Sequence, residues 1–222
     1  MGYSIAASDQ ATEEQSQTPT LDQPYLGPAH LVDVRKESYG SNGEYPVLVF
    51  EFEALGPNEV NGYSFEGTRL HRHSEFPITE DDMRASDDGP SSAQKEVDRI
   101  AWILGYFMDE EEAEAAVKAK NADSLEELWE TIRTQVVATA EAVDYEDKNI
   151  KIKVLAEEYN GEGQIQTPFY KGWLADENSE QPLTYTQQDK RNLRDWERIQ
   201  NASPNGEPAT NGETAGGDNW DW

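Results

Sequence analysis

Alternating apolar and polar residues predict three strands in the first third of the chain. A strand is expected from Pro28 through Val34, and a second in YPVLVFEFEAL, where the even-numbered residues from Leu48 to Ala54 share one face. The charged, glycine-containing segment RKESYGSNGE between them predicts a turn. Further turn residues, from Gly56 to Gly62, precede a third predicted strand, YSFEGTRLHRHSEF. The three strands should form an antiparallel meander.

Helical spacing replaces alternation in the middle of the chain. Ser91 and Gln94 resemble a capping box ahead of the periodic segment AQKEVDRIAWILGYF, and Ser124 with Glu127 resembles another. A short acidic helix is expected between them, over 109–120. These elements predict a helical insert that packs on the sheet.

Alternation returns between Lys148 and Leu174, which predicts a long hairpin. Ile150, Ile152 and Val154 fall on one face of its first strand, Asn160-Gly161 supplies a tight turn, and a return strand is expected from about Gln164. About five strands around a helical insert predict a mainly β (α+β) domain, a five-stranded OB-like barrel. A small α+β domain with an open sheet is the other candidate.

The pattern divides the chain into four parts. Residues 1–23 lack periodicity and predict a disordered N-terminal arm, whereas 24–175 form the OB-like domain with its helical insert at about 79–145. Residues 176–200 predict an extension with a short helix, whose apolar stripe should dock on the domain. Residues 201–222 predict a disordered acidic tail with an aromatic tip.

Charge limits the partners that such a domain can have. The 222-residue chain has 18 Lys and Arg against 45 Asp and Glu, a formal net charge of -27, so a nucleic-acid site must be a local basic strip. The acidity suits a halophilic or marine source or, less well, a DNA mimic, because the carboxylates are spread along the chain. There is no cysteine, which excludes disulfides and thiol nucleophiles. Without a signal peptide or a membrane-length apolar run, we expect no membrane association and a cytoplasmic location, that of the host if the source is a phage.

Cations and aromatic rings concentrate on the predicted hairpin. In the extended strands they should lie on the outer face, where rings stack on bases and lysines neutralise phosphates; an ordinary solvated sheet face is the alternative. The candidate residues are Lys151, Lys153, Tyr159, Tyr170, Lys171 and Trp173.

Two further basic clusters could complete a groove. Arg35, Lys36 and Tyr39 lie in the first predicted turn, and Arg69, His71 and Arg72 lie on the third strand. On that strand His71 and His73 point the same way, which allows a metal site, but no third ligand follows at a suitable spacing. We therefore expect no metal, no other cofactor and, since catalytic motifs are missing, no enzymatic activity.

The acidic tail ends in a second candidate site, Asp218, Trp220, Asp221 and Trp222. Exposed tryptophans contribute nothing to a disordered segment's own folding, so they predict a hydrophobic pocket with a basic rim on a partner. Folding back onto its own domain is the alternative.

The succession of these segments resembles phage-encoded single-stranded DNA-binding proteins of the OB-fold type. The resemblance covers about residues 26–175 and is most specific over Val154 to Gly161, VLAEEYNG. The tail is similar to the tips of bacterial and phage single-strand binders, although Trp222 stands where those tips usually have Phe. The resemblance implies a protein of phage replication, recombination or repair that coats single-stranded DNA with little sequence preference. It also implies that the tail recruits polymerase, primase-helicase or nuclease partners.

Two other functions remain open at this point. An acidic protein–protein module, either a DNA mimic or a virion structural protein, would use the acidic surface itself. A metal-dependent nuclease would require His71 and His73. The sequence also leaves a homodimer open.

Overall fold

The computed structural model describes residues 23–39, 45–75, 80–84, 89–119, 122–143, 145, 148–159, 162–166, 172–180 and 182–200. Within them lie the strands β1 (Tyr25–Tyr39), β2 (Tyr45–Ala54), β3 (Arg69–Glu75), β4 (Ile150–Tyr159), β5 (Glu162–Gln166) and β6 (Leu174–Asp176). The helices are α1 (Ser92–Leu104), α2 (Glu110–Ala116), α3 (Leu125–Glu141) and α4 (Gln187–Gln200), with a 3-10 turn at Glu80–Met83. The chain is therefore an α+β protein.

The strands form one antiparallel sheet in the order β3-β2-β1-β4-β5, with the short β6 beside β4. The predicted meander and the predicted hairpin are both confirmed. Across the described ranges the sheet stays open, without a ladder that closes it into a barrel. The α1–α3 insert enters the chain between β3 and β4.

Strand β1 is shared by the two halves of the sheet. It pairs with β4 from Tyr25 to Ala29 and with β2 from Ala29 to Tyr39, with a register shift between Leu31 and Asp33. Such a bulge bends a strand and increases its twist. The strand continues through the segment in which a turn was predicted, so the prediction of a turn beginning at Arg35 is wrong. The ladder to β2 satisfies these backbone groups, which local turn propensity does not reveal.

The main core lies between one face of the sheet and the helices α1 and α3. Phe50, Phe52 and Ile152 from the sheet are fully buried with Ile100 of α1 and Val136 of α3. We call this side of the sheet the inner face. Both predicted helix starts are confirmed, because the Ser91 and Ser124 hydroxyls accept hydrogen bonds from backbone N–H groups three residues later.

The start of β1 is anchored by the loop that follows β2. The buried Asn58 side chain donates to the Pro24 carbonyl at 2.7 Å and accepts from the Leu26 amide at 3.1 Å. A Cβ on Gly27 would lie 2.6 Å from the Tyr25 hydroxyl oxygen and 2.8 Å from the Pro57 carbonyl oxygen, so this close approach requires glycine.

Helix α4 packs against β4 and β5. This placement confirms the prediction of a last helix that docks on the domain. None of the helices in the described ranges combines the length and the hydropathy needed to cross a bilayer.

Candidate nucleic-acid interface

The meander leaves one face of the sheet open opposite α1 and α3, and we call it the outer face. Strand alternation and register place on it the following residues: Asp33, Arg35, Glu37 and Tyr39 of β1, Tyr45, Val47, Val49, Glu51 and Glu53 of β2, and Arg69, His71 and His73 of β3. Because α4 packs farther along the sheet, on β4 and β5, this face retains solvent access.

Glu51 lies at the centre of the outer face and joins cations from both neighbouring strands. Arg35 Nη1 donates to its Oε2 at 2.5 Å, and His71 Nε2 donates to the same oxygen at 3.0 Å. Arg69 Nη1 lies 3.5 Å from Oε1. Burial opposes ionisation of Glu51, but the hydrogen bond from Arg35 and the nearby positive charges outweigh it and lower the pKa of this carboxyl group.

Further carboxylates neutralise the two arginines. Arg35 also contacts Asp33 at 3.1 Å and Glu37 at 2.6 Å, and Arg69 Nη2 lies 2.7 Å from Glu53. The outer face thus sets two arginines against four carboxylates, Asp33, Glu37, Glu51 and Glu53. An incoming phosphate would have to displace carboxylates to reach the arginines.

Aromatic rings lie beside this ion-pair network. The Tyr39 hydroxyl is 3.0 Å from His73 Nε2, and the His71 and His73 rings stack with centroids 6.2 Å apart. Tyr45 is the cross-strand partner of Tyr39, and the two are 56% and 39% exposed. Such exposed rings can stack on nucleic-acid bases.

A small apolar floor lies beneath these side chains. Val47 and Val49 point to the outer face, yet they are only 1% and 0% exposed. They are absent from the cluster packed between the sheet and the helices, so they are buried on the outer side of the sheet. The aliphatic stem of Arg35, opposite Val49, can bury apolar surface while its head group stays accessible.

All three histidines of the chain belong to this side of the sheet, since His30 pairs across the ladder with Glu53. Proximity of His71 and His73 does not create a metal site by itself. Within the described residues, no group of three His, Cys, Asp or Glu side chains is arranged to hold a metal ion.

The prediction that Lys153 and Trp173 are exposed on the hairpin is wrong. Lys153 is 3% exposed, and its Nζ lies 3.2 Å from Asp189 and 3.3 Å from the Thr184 carbonyl oxygen. Trp173 is fully buried and packs edge-on against Phe52 and Trp102, with centroids 5.7 and 5.9 Å away. Docking of α4 covers the lysine, and Trp173, directly before β6, is part of the core.

Three other predicted cations are separated from the Arg35–Arg69 cluster. Lys36 alternates to the side opposite Arg35 and donates to Glu130 of α3 at 2.8 Å, while Lys151 lies beside Pro28 and donates to Glu59 at 2.6 Å. Arg72 belongs to the inner face and is 8% exposed, so its prediction as a surface contact is wrong; its Nη2 lies 4.0 Å from Glu96. Strand alternation therefore places members of the predicted basic clusters on opposite faces of the sheet.

Several predicted site residues lie outside the described part of the chain. They are Tyr170, Lys171 and the tail residues Asp218, Trp220, Asp221 and Trp222, together with the side chain of Tyr159.

Two residues of the outer face were not among the predicted site residues. The sequence marks Tyr45 only as the start of a strand, and it gives His73 as part of the basic patch on the third strand, either a phosphate-contacting strip or a metal ligand. The hairpin register that pairs Tyr45 with Tyr39 was the signal, but it requires the length of β1, which the turn prediction had shortened.

Comparison with protein-family models, with curated proteins and with solved structures found no match to this chain.

Proposed function

We propose that this protein binds single-stranded DNA, with little sequence preference, across the outer face of β1–β3. The observation that carries the proposal is the convergence of Arg35, Arg69, His71 and Tyr39 on one open sheet face. Guanidinium groups suit phosphates, and the rings of Tyr39 and Tyr45 suit unpaired bases. The face combines both requirements.

The strand order supports this location. An OB fold is a five-stranded, partly open barrel that binds oligonucleotides on the face of its second and third strands and at the loops joining strands 1–2 and 4–5. The order β3-β2-β1-β4-β5, with a bulged β1 shared by both halves, has the strand neighbours expected of such a barrel opened along one seam. In that arrangement the binding face coincides with the outer face.

The carboxylates of the outer face set the expected strength of binding. Phosphates must compete with Glu51, Asp33 and Glu37 for Arg35, and with Glu51 and Glu53 for Arg69. Each neutralised phosphate also releases counterions, so affinity should fall as salt rises. We therefore propose a modest affinity with strong salt dependence, strengthened by several molecules lying along one strand of DNA.

The acidic tail completes the proposal as a recruitment segment. The charge of Asp218 and Asp221 keeps it from adding to DNA affinity, whereas Trp220 and Trp222 can enter a hydrophobic pocket on a replication protein. Polymerase, primase-helicase or nuclease components are the proposed class of partner. The overall role would be in phage replication or recombination.

The test is a titration of fluorescently labelled oligothymidylate, followed by anisotropy at increasing salt. The outer face carries tyrosines rather than tryptophans, which makes a labelled oligonucleotide a better probe than intrinsic fluorescence. Arg35→Gln combined with Arg69→Gln should weaken binding about tenfold or more and reduce its dependence on salt.

The matched control is Arg191→Gln with Arg194→Gln on the exposed side of α4, which removes the same charge. This variant should bind like the parent. Equal losses in both double variants would show that only overall charge matters and would refute the outer face as the site. Thermal unfolding of each variant identifies any loss caused by misfolding.

A second candidate function is favoured by the neutralisation of the arginines on the outer face. A DNA mimic or a virion structural protein would present its acidic surface to a basic partner and would have no need of an accessible cationic strip. In the same titration such a protein would leave the oligonucleotide unbound at every salt concentration.

A further inference from the structure

The helical insert contains a groove that is separate from the outer face. A cavity of about 900 Å³ lies between α1, α2 and the first turns of α3. Half-buried apolar side chains line it: Val97, Ala101, Trp102, Tyr106, Ala119 and Leu128. A concavity of this size with an apolar wall, within a highly acidic surface, indicates an interaction site.

The aromatic wall of the groove is fixed by the core. The Trp102 ring packs edge-on against Trp173 and Tyr106, with centroids 5.9 and 5.3 Å away. The Tyr106 hydroxyl donates to the Leu174 carbonyl at 2.9 Å. A ligand would therefore meet a preorganised wall and would lose little free energy in ordering it.

The charge around the groove selects the kind of ligand. Asp98, Glu110 and Glu114 line it, and Lys118, which lines it too, lies 3.6 Å from Glu114. Nucleic acid would be repelled by this rim. The acidic tail of the chain itself would be repelled as well, although its two tryptophans would suit the apolar side chains of the groove.

We propose that this groove docks a basic amphipathic segment of a partner protein. Its apolar side chains would cover Val97, Trp102 and Leu128, and its Lys or Arg residues would meet Asp98 and Glu110 at the rim. Amphipathic helices bind hydrophobic grooves in this way, with charges around the edge setting specificity. The site is separate from the outer face, so it would allow the protein to hold a partner and single-stranded DNA together.

The test uses three labelled peptides of about 15 residues, long enough for helical turns to form on binding. The first has Lys and Leu at amphipathic spacing, the second replaces every Lys with Glu, and the third replaces every Leu with Ser. Anisotropy with the full chain at about 0.15 M salt, where long-range attraction is screened, should show binding of the Lys/Leu peptide alone. If the Lys/Ser peptide bound as tightly as the Lys/Leu peptide, net charge alone would explain the binding and the proposal would be overturned. Failure of the Lys/Leu peptide to bind would also overturn it.

Matched variants locate the site. Asp98→Asn with Glu110→Gln should weaken the Lys/Leu peptide about five- to tenfold, as expected for two partly screened ion pairs. The exposed pair Asp195→Asn with Glu197→Gln removes the same charge on α4, which packs on β4 and β5, and should leave binding unchanged. Equal effects of the two pairs would overturn the assignment.

An apolar variant gives independent evidence. Leu128→Ser should weaken the same peptide, with thermal unfolding used to verify the fold. Unchanged peptide binding by the folded variant would count against the groove. Oligothymidylate binding, measured on the charge variants, should stay at the parent level, so failure of this inference is distinguishable from failure of the proposed DNA function.

Discussion

Glu51 on the central strand of the meander accepts a hydrogen bond from Arg35 of β1 at 2.5 Å, and the same carboxylate oxygen is 3.0 Å from His71 of β3. One carboxylate thus connects basic side chains on both neighbouring strands. If the outer face binds DNA, this oxygen occupies a position that a phosphate oxygen would take. The ion pair that organises the face would then also limit its affinity.

Replacing this carboxylate should strengthen DNA binding. Glu51→Gln keeps the shape of the side chain and removes the competing charge, so we expect several-fold tighter binding of oligothymidylate at low salt. Glu130→Gln is the matched control, because it makes the same charge change on α3, where Glu130 pairs with Lys36 of β1. The expected result is an increase for Glu51→Gln only; unchanged or weaker binding would contradict the proposed role of the outer face.

Acid should remove the stabilisation that Glu51 provides. Because the folded-state pKa of Glu51 is lowered from 4.5, its contribution is fully present above about pH 4.5 and is lost as pH falls through the lower folded-state value. Urea unfolding of the parent and of Glu51→Gln, compared from pH 7 to pH 3, isolates this effect from the protein's overall charge repulsion. The difference between the two free energies of unfolding should shrink toward the acid end. A difference independent of pH would contradict the linkage.

The buried ion pair between Lys153 and Asp189 should stabilise the docking of α4. The two side chains are 4% and 6% exposed, so Lys153→Met leaves an uncompensated buried carboxylate and should cost roughly 3–5 kcal/mol of unfolding free energy. The carboxylate also accepts from the Thr186 amide at the start of α4, at 2.7 Å.

Lys153→Met combined with Asp189→Asn removes both charges and should recover part of that loss in urea denaturation. Oligothymidylate affinity of the folded variants should stay unchanged, since Lys153 is buried beneath α4. A selective loss of DNA binding without a loss of stability would indicate that Lys153 contacts DNA and would contradict its purely structural role.

Removal of residues 201–222 should tighten DNA binding and abolish partner recruitment. The tail is anionic and can compete with DNA for cations, an effect that fades as salt screens it. The deletion should therefore increase oligothymidylate affinity at low salt more than at high salt. Trp220→Ala with Trp222→Ala keeps the charges, so it should keep the competition and lose only recruitment. Unchanged affinity after deletion would exclude competition by the tail.

Local patterns predicted most elements of the fold correctly. Alternation located β2 and the β4–β5 hairpin, and the cap residues Ser91 and Ser124 located the starts of two helices. These signals succeed because the side-chain periods of strands and helices, and the need to satisfy helix-end amides, act over a few residues. The length of β1 was underestimated because its polar C-terminal half looks like a loop until its partner β2 is known.

The candidate site was only partly predictable. The sequence identified Arg35, Tyr39, Arg69 and His71, but it could not place them on one surface, because that requires the register between three strands. It also placed Lys153 and Trp173 on an exposed face. The burial of Lys153 depends on α4, and that of Trp173 on Phe52 and Trp102, all distant in sequence from the residues that they cover.

The sequence by itself determined the acidic character of the protein, its α+β class and the positions of most strands and helices, since composition and short-range periodicity fix these properties. Only the tertiary structure decided which cations share a surface and which are buried. Side-chain exposure depends on pairing between distant segments, and the burial of Lys153 against Asp189, 36 residues away, is set by that packing.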